Sequence, residues 1–148
     1  MISDPRHEVD ALDIADLPEI ATQVVERARV TSGVAIDLIS TPVVVRANRV
    51  EVWRALVNLV ENACRAAGPG GAVLVNVSTS AEGARLDVHD SGPRWEQGQS
   101  GNDAHGLSTV RASAAAYGGH LETGTGDLGG AVASLLLPSV RTPERATG

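Results

Sequence analysis

The sequence has no phenylalanine, and its few tryptophan and tyrosine residues bring the aromatic share to only 2%. A core must therefore be built from aliphatic side chains, and the hydrophobic share of 43% excludes a disordered tail. The single cysteine, Cys64, excludes an internal disulfide and a multi-cysteine metal site. No Lys/Arg block stands out and the formal net charge is -6, which argues against a nucleic-acid partner.

Long apolar runs are also absent. No run approaches the ~18 residues of a membrane span, and the polar N-terminal residues do not match a signal peptide. These absences predict a cytoplasmic domain without direct membrane insertion. With 148 residues, one domain is expected: residues 10–138 would fold between a flexible leader at 1–9 and a flexible tail at 139–148.

Hydrophobic spacing predicts three helices and six strands. The helices are expected at 16–30, with Asp16 as N-cap, at 49–67, and at 106–117, where glycines 118 and 119 end the third. The strands are expected at 34–39, 43–46, 72–80, 84–89, 120–123 and 131–137. The glycines at 124–130 are assigned to turns. Runs of strands interleaved with helices predict a two-layer α+β sandwich.

A narrow polar stripe runs along the predicted helix 49–67. At about 100° per residue, its six polar side chains fall within an arc of roughly 100°. A solvated face is one interpretation, but asparagine is a poor helix former. Asn58 and Asn62, spaced i and i+4, would instead offer an amide oxygen to Mg²⁺ and amide N–H groups to phosphate on one surface. The stripe consists of Glu51, Arg54, Asn58, Glu61, Asn62 and Arg65.

Two glycine-containing segments favour a ligand site. Asp90 to Gly92 follows a predicted strand, where backbone can approach a ligand and a carboxylate can accept from an exocyclic amine such as N6 of adenine. An Asx-type turn is the alternative interpretation. The segment 105–108 opens a helix whose free N–H groups form an anion site, and Gly106 would let a phosphate approach. An ordinary loop-to-helix junction is the alternative there.

Together and in this order, these segments resemble the ATP-binding catalytic domain of bacterial sensor histidine kinases, within the superfamily shared with gyrase B, Hsp90 and MutL. Residues 58–63 look like the family's N box, 90–92 like the start of its G1 box and 106–111 like its G2 box. Residues 117–122 and 129–138 look like its closing strands, and 10–29 are similar to the segment that follows the phosphoacceptor helices. The resemblance implies a Bergerat-type ATP-binding fold, a mixed and mostly antiparallel sheet covered on one face by three helices.

The resemblance implies roles for four residues of the polar stripe. Asn62 would ligate Mg²⁺, and Asn58 would support the metal or the phosphates. Arg65 stands where a basic residue usually reaches phosphate. Glu61, beside Asn62, is a candidate general base, although a solvated helix carboxylate is the favoured interpretation of it.

The remaining roles concern the two ends of the nucleotide. Asp90 would accept from the adenine amino group, and Gly92 would let the base sit close. Gly106 and Leu107 would line the phosphate end of the pocket, and residues 91–105 would form a mobile lid.

The implied function is to bind Mg-ATP and supply its γ-phosphate to a histidine in two-component signalling. None of the four histidines lies in a phosphoacceptor helix pair. The expected partner is therefore a histidine-bearing dimerisation domain, upstream in a longer chain or on a separate protein, with a response regulator as an indirect partner. The isolated domain is expected to be monomeric, and it could form the cytoplasmic part of a membrane sensor kinase.

Four departures from the family pattern are expected to weaken nucleotide affinity or lid closure. Pro93 follows Gly92 where a further glycine is usual, and Ala104 stands where the second box usually has glycine. The lid is short, without a phenylalanine-containing box. Ala66 replaces the aromatic residue that often flanks adenine. Binding of ATP is therefore favoured over efficient turnover.

Two alternative functions stay open. One is a stand-alone serine kinase that acts as an anti-sigma factor; that family tends to carry Glu at the position of Asn58 and lacks the segment 10–29. The other is a degenerate, non-catalytic nucleotide-binding or docking module that regulates a partner, which the short lid and the missing glycines support.

Overall fold

The computed structural model describes residues 14–81, 83–92 and 107–139. The predicted leader, the predicted tail beyond residue 139, Gly106 and residues 93–105 of the predicted lid lie outside these ranges. In chain order the elements are β1 (Ile14–Asp16), α1 (Leu17–Thr31), β2 (Ala35–Ser40), β3 (Val44–Arg46), α2 (Arg49–Ala67), β4 (Ala72–Ser80), β5 (Gly83–Asp90), α3 (Leu107–Ala116), β6 (His120–Thr125) and β7 (Ala131–Leu137).

Five strands form one sheet in the order β2-β4-β5-β7-β6. The β2–β4 pair is parallel, and the other three pairs are antiparallel. β1 and β3 form a separate two-stranded antiparallel pair. α1 packs on β2 and β4, α2 on β4 and β5, and α3 on β6 and β7, so the helices form a layer over one sheet face. The predicted two-layer sandwich with a mixed, mostly antiparallel sheet is confirmed.

α1 begins where its sequence predicts. The Asp16 side chain accepts a hydrogen bond from the Glu19 amide at 3.1 Å, which satisfies one of the free amides of the first turn. The apolar stripe is buried against the sheet and α2, because helical spacing places its members on one side. Its buried residues are Leu17, Ile20, Ala21, Val24, Val25 and Ala28.

α2 is the central helix of the layer. Asn48 caps it by accepting from the Glu51 amide at 3.0 Å, and Gly68, with φ +75°, ends it. The apolar side of the helix is buried, but Trp53 and Val57 are only half-buried, so the buried arc is narrower than the sequence predicts. The Arg27 guanidinium lies over the Trp53 ring, 5.7 Å from its centroid, which keeps the exposed edge of the indole in contact with a cation.

The register of β4 and β5 decides which side chains of β5 face the helices. Val73, Val75 and Val77 of β4 are fully buried under the helix layer. Directly opposite residues in an antiparallel pair share a face, and Val73 pairs with Asp90. Asp90 therefore points towards the helices. The neighbouring His89 points to the other face of the sheet because successive side chains alternate.

α3 ends in a Schellman motif, as the two predicted glycines indicate. The Gly119 amide donates to the Ala114 carbonyl at 2.8 Å, and the Gly118 amide donates to the Ala115 carbonyl at 3.1 Å. Gly118 has φ +82°. A Cβ atom on Gly119 would lie 1.8 Å from the Leu136 carbonyl oxygen, so the chain enters β6 with no room for a side chain.

Most predicted element ends lie within one residue of the observed ones, and two differences are larger. β1 was not predicted, because its three residues are too few to show alternation; the strand exists because it pairs with β3. β6 continues two residues beyond the predicted end at 123, because Thr125 still pairs with Ala131. Within the described ranges, no helix has both the length and the apolar character needed to cross a membrane.

Candidate functional site

Asp90 is a buried carboxylate at the end of β5, with 5% of its surface exposed. Its Oδ1 atom accepts from the Gly92 amide at 2.8 Å and from the Ala131 amide at 3.4 Å. The first of these bonds is the Asx-type turn that the sequence left as an alternative. Because both bonds use Oδ1, the turn and β7 fix the carboxylate through this oxygen, and Oδ2 takes part in neither bond.

Burial raises the pKa of the Asp90 carboxyl above its ordinary value. The amides of Gly92 and Ala131 and the nearby His89 act in the opposite direction, but desolvation is the largest effect. Above the raised pKa, the ionised carboxylate therefore costs stability in the free protein. A ligand that donates a hydrogen bond to it would compensate part of that cost.

Two glycines allow three backbone segments to meet beside Asp90. A Cβ atom on Gly92 would lie 2.2 Å from the Ala66 carbonyl oxygen of α2. A Cβ atom on Gly130 would lie 2.4 Å from the carbonyl oxygens of both Asp90 and Gly92. Gly92 is thus required where the turn packs on α2, a reason separate from its predicted contact with the base. The sequence assigned Gly130 to a turn at the start of a closing strand of the family, but it gave no signal for this close approach.

The contact at Ala66 brings the 90–92 turn to the C-terminal half of α2. Asn62 lies four residues before Ala66, so the two residues are neighbours on one side of the helix. Asn58 and Asn62 are half-buried, whereas Glu61 and Arg65 are exposed. The asparagines therefore lie at the border of the helix layer, and the charged residues of the stripe project into solvent.

The described residues contain no group of three or more His, Cys, Asp and Glu side chains that could hold a metal. The oxygen donors on this part of α2 are the Asn58 and Asn62 amides and the Glu61 carboxylate. Mg²⁺ usually binds proteins through one or two oxygen ligands together with substrate phosphates. These donors fit a cation that is shared with nucleotide phosphates.

Leu107 begins α3, and its side chain is only 3% exposed within the hydrophobic core. A contact of Leu107 with phosphate would have to come from its backbone. Gly106, the other residue predicted for this end of the pocket, lies outside the described residues. α3 packs against α2, so its N-terminal end belongs to the same layer as the asparagines.

A small groove between α2 and α3 lies away from these residues. It is lined by the first two turns of α2, including Val52 and Ala55, and by Tyr117. The Tyr117 hydroxyl donates to the Glu51 carboxylate at 2.7 Å across its mouth. Because Asn62 lies two turns further along α2, this groove is not part of the candidate site.

The sequence model of the family described as "Histidine kinase-, DNA gyrase B-, and HSP90-like ATPase" matches residues 47–141. The chain belongs to this ATPase family. The matched range includes Asn62, Asp90 and the β6–β7 hairpin, whereas α1 and β2 precede it. Family membership confirms the resemblance to this superfamily that was seen in the sequence, and ATP is the ligand that an ATPase family implies.

Solved structures of histidine kinases share the fold of this ATPase domain. A mycobacterial sensor histidine kinase, MprB, has a TM-score of 0.76 at 24% identity, covering 88% of this chain and 100% of its own. The ATP binding domain of PrrB from Mycobacterium tuberculosis has a TM-score of 0.76 at 21% identity, covering 87% of this chain and 98% of its own. The catalytic domain of histidine kinase ThkA has a TM-score of 0.73 at 23% identity, covering 84% of this chain and 94% of its own. A search of curated protein sequences gives no match.

Proposed function

We propose that residues 10–138 form a monomeric cytoplasmic domain that binds Mg-ATP between α2 and the end of β5. The domain would supply the γ-phosphate to a histidine on a dimerisation domain, in cis or in trans, and so act indirectly on a response regulator. The observation that carries this proposal is Asp90, a buried carboxylate with one oxygen fixed by two backbone amides.

At the adenine end, Asp90 Oδ2 would accept from the exocyclic amine of the base. A buried acceptor discriminates strongly between an amine and a carbonyl at the same place, because two facing acceptors leave both unpaired. Guanine carries a carbonyl where adenine carries the amine, so the site should prefer ATP to GTP. The close backbone approach at Gly92 and Gly130 would keep the base near the carboxylate.

At the phosphate end, Asn62 would ligate Mg²⁺ through its amide oxygen, and Asn58 would support the metal or the phosphates. Arg65 is exposed and three residues further along α2, where its guanidinium would reach a phosphate. The backbone of Gly106 and Leu107 at the start of α3 would add N–H donors. When bound, Mg²⁺ would neutralise phosphate charge.

In the transfer step, an imidazole nitrogen of the partner would attack the γ-phosphorus. The bond between this phosphorus and the β–γ bridging oxygen would break, and ADP would leave. The contribution of this chain would be to bind and orient ATP. Asn58, Asn62 and Asp90 would serve as binding groups. Glu61 is the candidate base for the imidazole proton. Because Glu61 is exposed, a solvated carboxylate without a catalytic role is the favoured interpretation of this residue.

Asn62→Ala is expected to remove the part of the ATP affinity that depends on Mg²⁺. Isothermal titration should show that the wild type binds ATP about tenfold or more tightly with Mg²⁺ than without it, the effect of one bond to a charged group. The variant should bind equally under both conditions. Asn76→Ala is the matched control, because Asn76 pairs with Asp87 on the other face of the sheet. An unchanged Mg²⁺ effect in Asn62→Ala would refute the metal role.

Phosphotransfer is expected when the domain is incubated with γ-labelled ATP and a histidine-bearing dimerisation domain. The label on the partner should be lost in acid and retained in base, as the P–N bond of a phosphohistidine requires. The same reaction with Asp90→Asn is the control and should leave the partner unlabelled. Label on a serine of a partner would favour the anti-sigma-factor type of kinase, and ATP binding without transfer would favour the docking module.

A further inference from the structure

The turn between β6 and β7 contacts the end of β5 from both sides of the sheet. On the helix-facing side, the Ala131 amide donates to Asp90 Oδ1, and Gly130 packs on the Asp90 backbone. On the other side, the Asp127 amide donates to His89 Nδ1 at 3.1 Å. Two adjacent residues of β5 therefore hold one turn, and one of them is the proposed adenine contact.

The His89 ring has a defined place against this turn. The residue is only 9% exposed, between Leu74 of β4 and Val132 of β7 as its cross-strand partners. A Cβ atom on Gly126 would lie 2.7 Å from His89 Nδ1. The backbone of the turn thus contacts the ring directly, and the hydrogen bond from Asp127 is part of a packed contact.

This hydrogen bond requires a neutral ring. Nδ1 can accept from the Asp127 amide only while it carries a lone pair, so the ring proton must be on Nε2. An imidazolium has N–H groups at both nitrogens, and its Nδ1 would face the Asp127 N–H as donor to donor. Protonation would also place a charge at a nearly buried position, which is costly. Protonation of His89 is therefore incompatible with the contact that holds the turn.

Among the described residues, the elements that flank the ring carry several carboxylates and one guanidinium, that of Arg85. The Asp87 carboxylate is paired with this guanidinium at 3.1 Å. The polar partner of Nδ1 is the backbone amide of the turn rather than any of these side chains. The carboxylates come from β5, from the turn and, beyond Leu74 in the same row of the sheet, from β2: Asp87, Asp90, Asp127 and Asp37.

We propose that His89 is a positioning residue for nucleotide binding. In its neutral form, it holds the β6–β7 turn so that the Ala131 amide orients the Asp90 carboxylate for the adenine amine. Loss of the Nδ1 acceptor would release the turn and weaken binding. This inference rests on the adenine contact of Asp90 stated above.

Isothermal titration with ADP and Mg²⁺ at pH 8 tests this role. His89→Asn places an amide oxygen near the position of Nδ1 and can accept from Asp127, so this variant should keep the wild-type affinity. His89→Ala removes the acceptor and is expected to bind about three- to tenfold more weakly, the equivalent of one hydrogen bond.

His120→Asn is the matched control on the same face of the sheet. The His120 side chain is exposed and contacts the Glu122 carboxylate at 2.9 Å, away from the turn. Its ADP affinity should equal that of the wild type.

Two outcomes would overturn the role of His89. One is wild-type affinity in a folded His89→Ala variant, and the other is weak binding of His89→Asn at pH 8 despite a normal melting temperature. If His89→Ala does not fold, the His89→Asn comparison still decides. Absence of ADP binding by the wild type at pH 8 would instead refute the proposed nucleotide site itself, which keeps the two failures distinguishable.

Discussion

Asp90→Asn is expected to abolish ATP binding while making the nucleotide-free domain more stable. The Gly92 and Ala131 amides both donate to the Oδ1 position. An asparagine must therefore point its oxygen at these amides and its NH₂ group at the adenine amine. Two facing donors leave both unpaired in a buried site, so we expect affinity to fall about hundredfold or more.

The gain in stability follows from the pKa of the Asp90 carboxyl. Burial raises this pKa in the folded chain, so the folded state holds the proton to a higher pH than the unfolded state. The stability contribution is largest below the unfolded pKa and is lost as pH rises through the folded pKa. Asparagine does not ionise, so the variant does not lose stability in this way as the pH rises. The melting temperature of the variant should therefore exceed that of the wild type at pH 8, and the difference should shrink towards pH 4.

Thermal melting and ATP titration on the same preparations measure both effects. Asp37→Asn is the matched control, because Asp37 is exposed on β2 and should leave ATP affinity and the pH dependence of melting unchanged. ATP binding by Asp90→Asn within about threefold of the wild type, a difference smaller than one hydrogen bond provides, would contradict the adenine role. A lower melting temperature at pH 8 would contradict the assigned cost of the buried carboxylate.

Gly130→Ala is expected to damage both the fold and the site. The added Cβ would lie 2.4 Å from the carbonyl oxygens of Asp90 and Gly92 and 2.6 Å from Asp90 Oδ1. These are backbone atoms and a fixed carboxylate, so the strands must separate to make room. We expect the free energy of unfolding to fall by about 1–3 kcal/mol, the usual cost of overpacking, and ATP affinity to fall at least about tenfold, because Asp90 moves.

Gly124→Ala is the matched control in the same hairpin. A Cβ atom there would find Val132 Cγ1 at 3.9 Å, which is ordinary contact. Urea unfolding should therefore give nearly wild-type stability for Gly124→Ala and a lower midpoint for Gly130→Ala. Equal midpoints for the two variants would show that the hairpin yields easily at Gly130 and that the close approach does not hold Asp90.

Local sequence signals predicted much of the helix layer. The apolar stripe of α1, its Asp16 cap and the glycine end of α3 depend on residues within a few positions of one another, and each is confirmed. The width of the buried arc of α2 was less predictable. Trp53 and Val57 are apolar, but the packing of neighbouring elements decides how far round the helix burial extends.

The residues that hold Asp90 in place could not be predicted from the sequence. Ala131 lies 41 positions from Asp90, and no local pattern indicates that its amide would donate to that carboxylate. The clearance at Gly130 depends on the register of β5 against β7, which non-local pairing determines. His89 gave no signal either, because its role depends on a turn 38 residues away.

By itself, the sequence determined the family, the order of its helices and most strands, and the candidate pairing of Asn62 with Asp90. The family followed from the resemblance of its motifs, and the helices and strands followed from the short-range spacing of apolar residues. Only the tertiary structure decided that Asp90 faces the helix layer and that Oδ1 is already committed to two amides. It also decided that His89 supports the same turn from the opposite face, because sheet register brings together groups that the chain keeps far apart.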